Sequence, residues 1–589
     1  MTPRLLLRGF SAFKSVDLAT LREAIRTFGP LLRDQRRRML LAAVLAPLAA
    51  ALEVLRPWPL KWVVDRLFGV APTGPSSDAL SSDAWLLLSG GAVVVASFLI
   101  GRLHVWQVTQ TSEVGRRATV RVRRLVFERV TRLGLDVHAT HRTGDLLTRL
   151  TGDVAAVRDL LLTSWLNLGA RLTTFLGAVI AMAALDPMSA LLAIAPFPLL
   201  MVAVRGKANR LSQQTRKQRR EEGAATSFAA EALRNVRVVK AFSAEDRVVR
   251  TYVHDSRTGE RTGAEAARTA ARMAETAEQL TGLGLAAVLA FAAHGAMQGR
   301  LTPGDLVLLL SYARSLYKPL RGLSREGGRL AKAVASADRL LELLRLPVED
   351  RDRGAPAPAF AGEVEFAGVT AGYEPGRPAV AGLDLRIAPG ELAVFRGPNG
   401  AGKSTAVNLL LRLLEPTRGE VRVDGAPATA WRLADYRSRL AYVPQDFTLF
   451  GGTIEENVLF GKPDATPEDV AAALDAASAS EFVARLPDGA ATSLGEGGAT
   501  LSGGERRRLM LARAAVRDAR ILVLDEPFAG LDPEARETVA RAIRRIAAGR
   551  TAIVVTHEAV DELAPDVVFT FDAGRVVDAA RPAEARGAP

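Results

Sequence analysis

Residues Gly397 to Thr405 read GPNGAGKST, a phosphate-loop pattern in which Gly397 and Gly402 are followed by Lys403 and Ser404. The chemistry of such a stretch is phosphate binding. Gly397, Gly400 and Gly402 let successive backbone N–H groups close around phosphate oxygens, with Asn399 and Thr405 completing the loop. A helix start adds partial positive charge, Lys403 can reach the β- and γ-phosphates, and Ser404 can ligate Mg²⁺. A Gly-rich turn that merely contains Lys and Ser would lack the flanking elements found here, an apolar run from Leu392 to Phe395 and a helical pattern from Ala406 to Leu414. The stretch is therefore expected to bind a nucleoside triphosphate.

Other residues downstream suit the same chemistry. The apolar run from Ile521 ends in Asp525 and Glu526, carboxylates at the positions where an NTPase organises Mg²⁺ and activates water. Any buried strand can end in acids, so this signal gains its weight from the phosphate loop upstream. Ser502, Gly503 and Gly504 precede a helix of alternating Arg and apolar residues, a pattern equally suited to a helix cap and an anion nest. His557 follows the strand-like AIVVT; a lone histidine is usually structural, and the place after a terminal strand reverses that expectation.

The elements that must position these residues occupy the second half of the chain. A length of 589 residues is too great for one core. Strand patterns at Glu363 to Thr370 and Leu383 to Ile387, followed by strand-helix alternation, predict an α/β P-loop domain with parallel strands over 361–580, after a Pro, Asp and Arg linker at 347–360. A short tail, 581–589, is expected to be flexible.

The first half carries long apolar runs: from Met39 to about Phe68, Trp85 to Val108, Leu160 to Leu185, Met188 to Val204, Leu280 to Met297, and Leu306 to about Leu320. They predict a six-helix transmembrane α-helical domain over 39–346, with kinks at Pro47, Pro57 and Pro59. Residues 1–38 read as an amphipathic, arginine-bearing segment along the cytoplasmic face, or a basic tail. No apolar h-region with a small-residue cleavage site follows the first residues, so no cleavage is expected. Gly69 to Ala84 and the Asp186-Pro187 turn lack Lys and Arg, whereas Gly115 to Arg158 and Arg205 to Arg272 are dense in arginine. That asymmetry places both termini and the P-loop domain in the cytoplasm. The two basic connections are long and helical in pattern, so they are expected to project as long hairpins. The net charge of +13 belongs to these loops rather than to a nucleic-acid surface, because no aromatics are interleaved for stacking on bases. The absence of cysteine excludes disulfides, thiolate metal sites and thiol catalysis.

Taken in order, the phosphate loop, Gln445 in YVPQD, LSGGE from Leu501, the Asp525-Glu526 strand end and His557 resemble the ATP-binding cassette (ABC) family, and the resemblance extends over nearly the whole chain. It implies ATP and Mg²⁺ as cofactors. It matches Tyr373 to the adenine-stacking aromatic, Gln445 to the glutamine that touches Mg²⁺ and the lytic water, and Asp525 with Ser404 to the Mg²⁺ site. Glu526 would be the general base, His557 the switch on the γ-phosphate, and Asp532 the loop that crosses to an opposite cassette. Two cassettes would sandwich two ATP molecules, each held by one chain's phosphate loop and the other chain's Ser502 to Gly504. The membrane half is similar to the family's exporters, with His141 to Val154 and Glu231 to Asp246 as the helical hairpin segments that dock in cassettes and Glu496 in a loop that meets them. Two features depart from that pattern: Glu505 stands where exporter cassettes commonly have Gln, and LDEPFAGLD and VTHE are closer to importer cassettes.

The resemblance implies an ATP-driven exporter built as a dimer of half-transporters, a homodimer or a heterodimer, in the bacterial inner membrane. An uptake transporter on the same scaffold and an ATP-gated membrane protein without net transport are the alternatives. For the substrate, Arg56, Arg171 and Lys318 fall roughly 20 Å from the outer span ends at about 1.5 Å per residue, and Glu53 lies one turn from Arg56. Charges at that depth face a cavity or a partner. Either Glu53 neutralises one cation and Lys318 snorkels inward, or a positive cavity favours an amphipathic anion such as an acidic lipid, a glycolipid or an acidic peptide.

Overall fold

A computed structural model describes residues 17–69, 82–141, 143–374, 376–446, 448–495, 498 and 500–581, without the side chains of 18, 82–83, 163–168, 204–205, 209, 318–328 and 331. Glu496, the Lys318 side chain, most of the Gly69 to Ala84 loop and the tail beyond Arg581 lie outside the described residues. The chain forms two compact units, Met1–Thr131 with Thr143–Leu346, and Arg132–Arg142 with Pro347–Pro589.

The first unit is helical. Helix α1 (Leu18–Phe28) is capped by the Asp17 side chain, which accepts from the Ala19 N–H, and it buries Leu21, Ala24 and Phe28 while Arg22 and Arg26 stay exposed. That is the amphipathic spacing expected of this segment. There follow α2 (Arg36–Leu55), α3 (Trp58–Leu67), α4 (Ser82–Val130), α5 (Thr163–Leu185), α6 (Pro187–Ile194), α7 (Pro196–Arg234), α8 (Glu245–Met297) and α9 (Pro303–Arg345). Helices α4 and α8 have 49 and 53 residues. At about 1.5 Å per residue each is more than twice the ~30 Å hydrocarbon thickness, so both continue well past their apolar portions. The hairpin segments are helical too, through Thr143–Thr148, the π-turn Arg149–Asp153 and Val236–Ala241.

Among the described residues, three stretches are long and apolar enough to cross a bilayer, Ala19–Leu67, Ala84–Val130 and Glu245–Met297, and a fourth if the bent pair Pro187–Ala203 and Gly206–Arg234 is one span. The other two expected runs are also helical. The described apolar part of α5 is short, Gly169–Leu185, and α9 interrupts its apolar positions with Arg314 and Lys318.

The prolines act unequally. Pro47 sits inside α2 without ending it, whereas the chain breaks at Arg56 and Pro57, and Pro59 falls in the first turn of α3. At that break the Tyr312 hydroxyl of α9 donates to the Val54 carbonyl and accepts from the Trp58 indole N–H, both at 2.9 Å. The expected single run from Met188 to Val204 is divided at Ala195, because Pro196 has no N–H with which to continue α6.

Three charges are buried together where α3 meets the start of α9. Lys61 is 5% exposed, Asp65 4% and Asp305 8%. The Lys61 ammonium pairs with Asp305 and lies 3.5 Å from Asp65, whose carboxylate accepts the Gly304 N–H at 2.7 Å. Breaking a buried pair leaves an uncompensated charge, so Lys61→Met should destabilise the protein by about 3–5 kcal/mol, seen as a lower thermal unfolding midpoint in detergent. Adding Asp305→Asn to Lys61→Met should restore part of the loss.

The second unit contains a four-stranded antiparallel sheet and a six-stranded, mostly parallel one. Its strands are β1 (Val364–Ala371), β2 (Val380–Ile387), β3 (Leu392–Arg396), β4 (Arg418–Val423), β5 (Ala426–Pro427), β6 (Leu440–Val443), β7 (Gly452–Thr453), β8 (Ser493–Leu494), β9 (Ile521–Asp525), β10 (Thr551–Thr556), β11 (Val567–Asp572) and β12 (Arg575–Ala580). The orders are β2-β1-β4-β5 and β12-β11-β3-β10-β9-β6, with β7 and β8 paired apart. Strands β9 and β10 are buried along their whole length, as strands covered on both faces must be. Alternation along them feeds two cores: Leu522, Leu524 and Val554 pack with Leu509 and Ile543, whereas Val523, Ile553 and Val555 pack with Val407 and Leu410. Parallel register sets Val555 beside both Phe395 and Asp525, and Val443 beside Leu524. The carboxyl ends of β3, β6, β9 and β10 thus lie side by side, the edge at which open α/β sheets bind ligands.

Candidate active site

The phosphate loop leaves β3 at that edge and turns into α10 (Lys403–Leu410), which begins earlier than the expected Ala406 and ends before Leu414. The early start reflects Gly402, the N-cap at φ +99°; the early stop is marked by Arg412 at φ +52°. A Cβ on Gly397, at φ +154°, would lie 2.2 Å from the Phe571 carbonyl oxygen, so this position requires glycine. The Lys403 ammonium donates to the Gly397 and Pro398 carbonyls at 2.7 and 2.9 Å. Burial pushes its pKa below the ordinary lysine range, with the charges of Glu526 and Asp525 acting in the opposite direction.

Arg396, Gly397, Pro398, Asn399, His557 and Thr570 line a cleft of about 590 Å³. Glu526 follows β9, is 7% exposed, and adopts φ +50°, a left-handed conformation unusual for a residue with a Cβ. Its N–H donates to the Val555 carbonyl at 2.9 Å, and both carboxylate oxygens lie 2.9 Å from His557 Nδ1. The sheet therefore brings the loop together with Asp525, Glu526 and His557, all more than a hundred residues further along the chain.

Tyr373 is 58% exposed, and its hydroxyl accepts from Asn408 Nδ2 at 2.8 Å, which sets the open ring beside the helix after the loop. Gln445 is exposed two residues beyond β6. Ser502 is the N-cap of α11 (Gly503–Val516) in a reciprocal box with Glu505: Ser502 N–H donates to the Glu505 carboxylate at 2.8 Å and Glu505 N–H to Ser502 Oγ at 3.3 Å. A carboxylate and an amide oxygen can each accept that bond, so the departure at Glu505 leaves the turn intact. Asp532 caps α12 (Pro533–Ala547) by accepting from the Ala535 N–H at 2.8 Å. Among the described residues, no hydrogen bond joins Ser502, Gly503, Gly504 or Asp532 to the phosphate loop.

Asp525 offers a test of the expected Mg²⁺. Its Oδ1 is buried with no hydrogen-bond partner among the described residues, and the Ser404 side chain is near enough to favour the charged form of the same carboxylate. Among the described residues no three His, Asp or Glu side chains converge as a metal site. The residues present therefore fit a hard cation that takes one or two protein oxygens and completes its shell with phosphates and water. A bound Mg²⁺ would neutralise charge on the β- and γ-phosphates.

Burial first, and then the Glu526 charge, push the Asp525 pKa up to about 6, against Lys403 and the Ser404 side chain. Because the folded value exceeds the unfolded one, folded protein binds the extra proton, and stability falls as pH rises from about 4 to 6. Asp525→Asn should therefore raise the unfolding midpoint of metal- and nucleotide-free protein at pH 7 to 8 by about 2 °C or more, and leave it unchanged at pH 4. Thermal scans at the two pH values check this.

Several positioning residues carry no local sequence signal. Arg536 pairs with both Glu558 and Glu562, packs over Phe528 at 5.0 Å and donates to the Ala559 carbonyl at 2.6 Å, fixing the segment that carries His557. Arg507 of α11 donates to the Ala529 carbonyl at 2.9 Å, in the turn between Glu526 and Asp532. The ion pairs and hydrogen bonds among these contacts join residues at least twenty positions apart, beyond any spacing rule.

Comparison with known proteins decides the family. A profile for the ABC transporter transmembrane region matches residues 39–320, one for ABC transporter matches 380–529, and one for an AAA domain matches 499–560. An ATP-dependent lipid A-core flippase of Chromohalobacter salexigens is 33% identical over 79% of this chain and 81% of its own length. The chain belongs to the ABC transporter family. A multidrug efflux ATP-binding/permease protein of Mycobacterium bovis is 31% identical over 93% of this chain and 45% of its own length. The solved structure of a bacterial Atm1-family ABC exporter with ATP bound superposes with a TM-score of 0.76, at 25% identity, covering 97% of this chain and 96% of that one. This ABC transporter is thus an integral membrane protein with a helical membrane domain followed by an α/β ATP-binding domain, and it is an ATPase.

Proposed function

We propose that the chain is a half-transporter that exports an amphipathic, lipid-like substrate by alternating access, working as a homodimer in a bacterial inner membrane. The observation that carries the dimer is arithmetic: the chain spans 45% of the efflux protein it resembles, and it contributes one phosphate loop and one LSGGE turn. Since Ser502 to Gly504 and Asp532 make no bond to their own loop, they are free to meet nucleotide on a second chain. The lipid A-core flippase resemblance favours a lipid-like substrate.

Within each site Glu526 takes the proton from the attacking water, His557 contacts the γ-phosphate, and Gln445 orients the water. Tyr373 stacks on adenine, and Gly397, Asn399, Gly400, Gly402, Lys403 and Thr405 bind phosphates. Ser404, Gln445 and Asp525 would hold Mg²⁺. The working division is 1–38 cytoplasmic segment, 39–346 membrane domain, 347–360 linker, 361–580 ATP-binding domain and 581–589 tail. Glu53, Arg56 and Arg171, with Lys318, are proposed to face the substrate path. Val54 packs against Gly177, where a Cβ would meet Val54 Cγ2 at 3.1 Å. Arg171 is six residues, or about 9 Å of helix, from that crossing.

Mixing chains that carry Lys403→Ala with chains that carry Ser502→Arg tests the arrangement in proteoliposomes. Both defects then share one composite site of the mixed dimer, and the other site should occlude one ATP. Mixed dimers that form but never occlude ATP would overturn the trans site. ATP-driven accumulation of a fluorescent anionic lipid analogue in inside-out vesicles is expected, and depletion would reverse the assigned direction.

A further inference from the structure

A groove of about 440 Å³ opens in the first unit, lined by Arg36, Met39, Leu40, Ala43, Val114 and Leu162 among others. That volume lies within the ~300–1,000 Å³ typical of small-molecule sites. Its walls come from the first turns of α2, the Thr111 to Val114 stretch of α4, and the helix Val154–Leu161 with the residue after it.

The lining is apolar except at its mouth. The Thr111 hydroxyl is already used, donating to the Gln107 carbonyl at 2.9 Å. Arg36 is exposed, and its guanidinium has no ion pair or hydrogen bond among the described residues. The carboxylates adjoining the groove residues in sequence are already engaged: Glu113, next to Val114, by Arg116 at 2.6 Å, Arg117 at 2.9 Å and Arg38 at 3.5 Å, and Asp34, two residues before Arg36, by Arg121 at 2.6 Å. Leu40 is 66% exposed on the same helix, one turn beyond Arg36. An uncompensated cation therefore stands at the start of an apolar run, directly before an open apolar channel. Arginine loading of the neighbouring connections places that end of α2 at the cytoplasmic leaflet.

We propose that this groove is a binding site for an anionic phospholipid of the cytoplasmic leaflet. Its phosphate engages Arg36, and an acyl chain lies along Met39, Leu40 and Ala43. Arginine suits the phosphate because its planar fork can make two charge-assisted hydrogen bonds, and the apolar wall suits a methylene chain. The site is separate from the proposed substrate path, since Arg36 precedes Arg56 by twenty residues, about 30 Å of helix.

The test uses the full chain in mild detergent with an equimolar mixture of phosphatidylglycerol and phosphatidylcholine carrying identical acyl chains, with retained lipid counted by native mass spectrometry. The parent should retain phosphatidylglycerol about tenfold over phosphatidylcholine, a difference of ~1.4 kcal/mol. Arg36→Gln should abolish that preference. Ala43→Trp, at an exposed position on the groove, should reduce retention of both lipids, while Arg22→Gln on α1 should alter neither. An unchanged phosphatidylglycerol preference in Arg36→Gln overturns the site, whether or not Ala43→Trp can be purified. Because the chain has no cysteine, Ala43→Cys supplies a unique thiol. It should resist a short bismaleimide, and efficient crosslinking to a second copy would mean that another subunit covers the groove, which also overturns the lipid assignment.

Discussion

Glu526→Gln should lower ATP turnover by about 10²- to 10⁴-fold, the usual contribution of a general base, while ATP binding stays intact. Glutamine retains the shape of the side chain and can still hydrogen-bond His557, but it cannot accept a proton from water. The site is built for that role: Glu526 is almost buried, held at φ +50° beyond β9, and its carboxylate faces His557 Nδ1 at 2.9 Å. Lys403→Ala should show the opposite division, weakening nucleotide binding itself. The measurements are steady-state phosphate release and equilibrium binding of a fluorescent ATP analogue. Turnover of Glu526→Gln within about twofold of the parent would be incompatible with a catalytic base at this position.

Gly397→Ala should reduce ATP affinity by at least about tenfold. A φ of +154° is accessible to glycine and strained for alanine, and the added methyl would meet the Phe571 carbonyl oxygen at 2.2 Å. Neither atom can yield without moving the end of β3 or β11, so the loop must shift, and strain of this kind costs of order 1–3 kcal/mol. Gly400→Ala is the control: its φ of +81° carries backbone strain, but nothing lies within 4 Å of the new Cβ. Its affinity loss should be clearly smaller, and equal losses in the two variants would show that contact with Phe571 is not what holds the loop.

Local spacing carried much of this protein. The run GPNGAGKST announces a phosphate loop because backbone N–H groups, a lysine and a hydroxyl act within one turn, and such short-range geometry is written in consecutive residues. The buried strands β9 and β10 were legible for a similar reason, since strands covered on both faces must be apolar throughout. Arginine loading likewise gives the membrane half an expected orientation, because charge is a property of composition. Helix ends were less legible. Whether a proline ends a helix depends on what satisfies the freed carbonyl: Pro47 is absorbed within α2, while the break at Pro57 is met by Tyr312, which arrives from more than two hundred and fifty residues away.

The assembly of the site depended on tertiary structure. Asp525, Glu526 and His557 join the phosphate loop only because β3, β9 and β10 pair in parallel with Val555 beside both Phe395 and Asp525. A one-residue slip would invert every side chain. The Arg536 clamp on Glu558 and Glu562, the buried trio of Lys61, Asp65 and Asp305, and the groove at Arg36 had no signature in the chain. Each unites residues from separate helices or loops, and whether a charge is paired or exposed is decided by what folds against it, not by its neighbours in sequence.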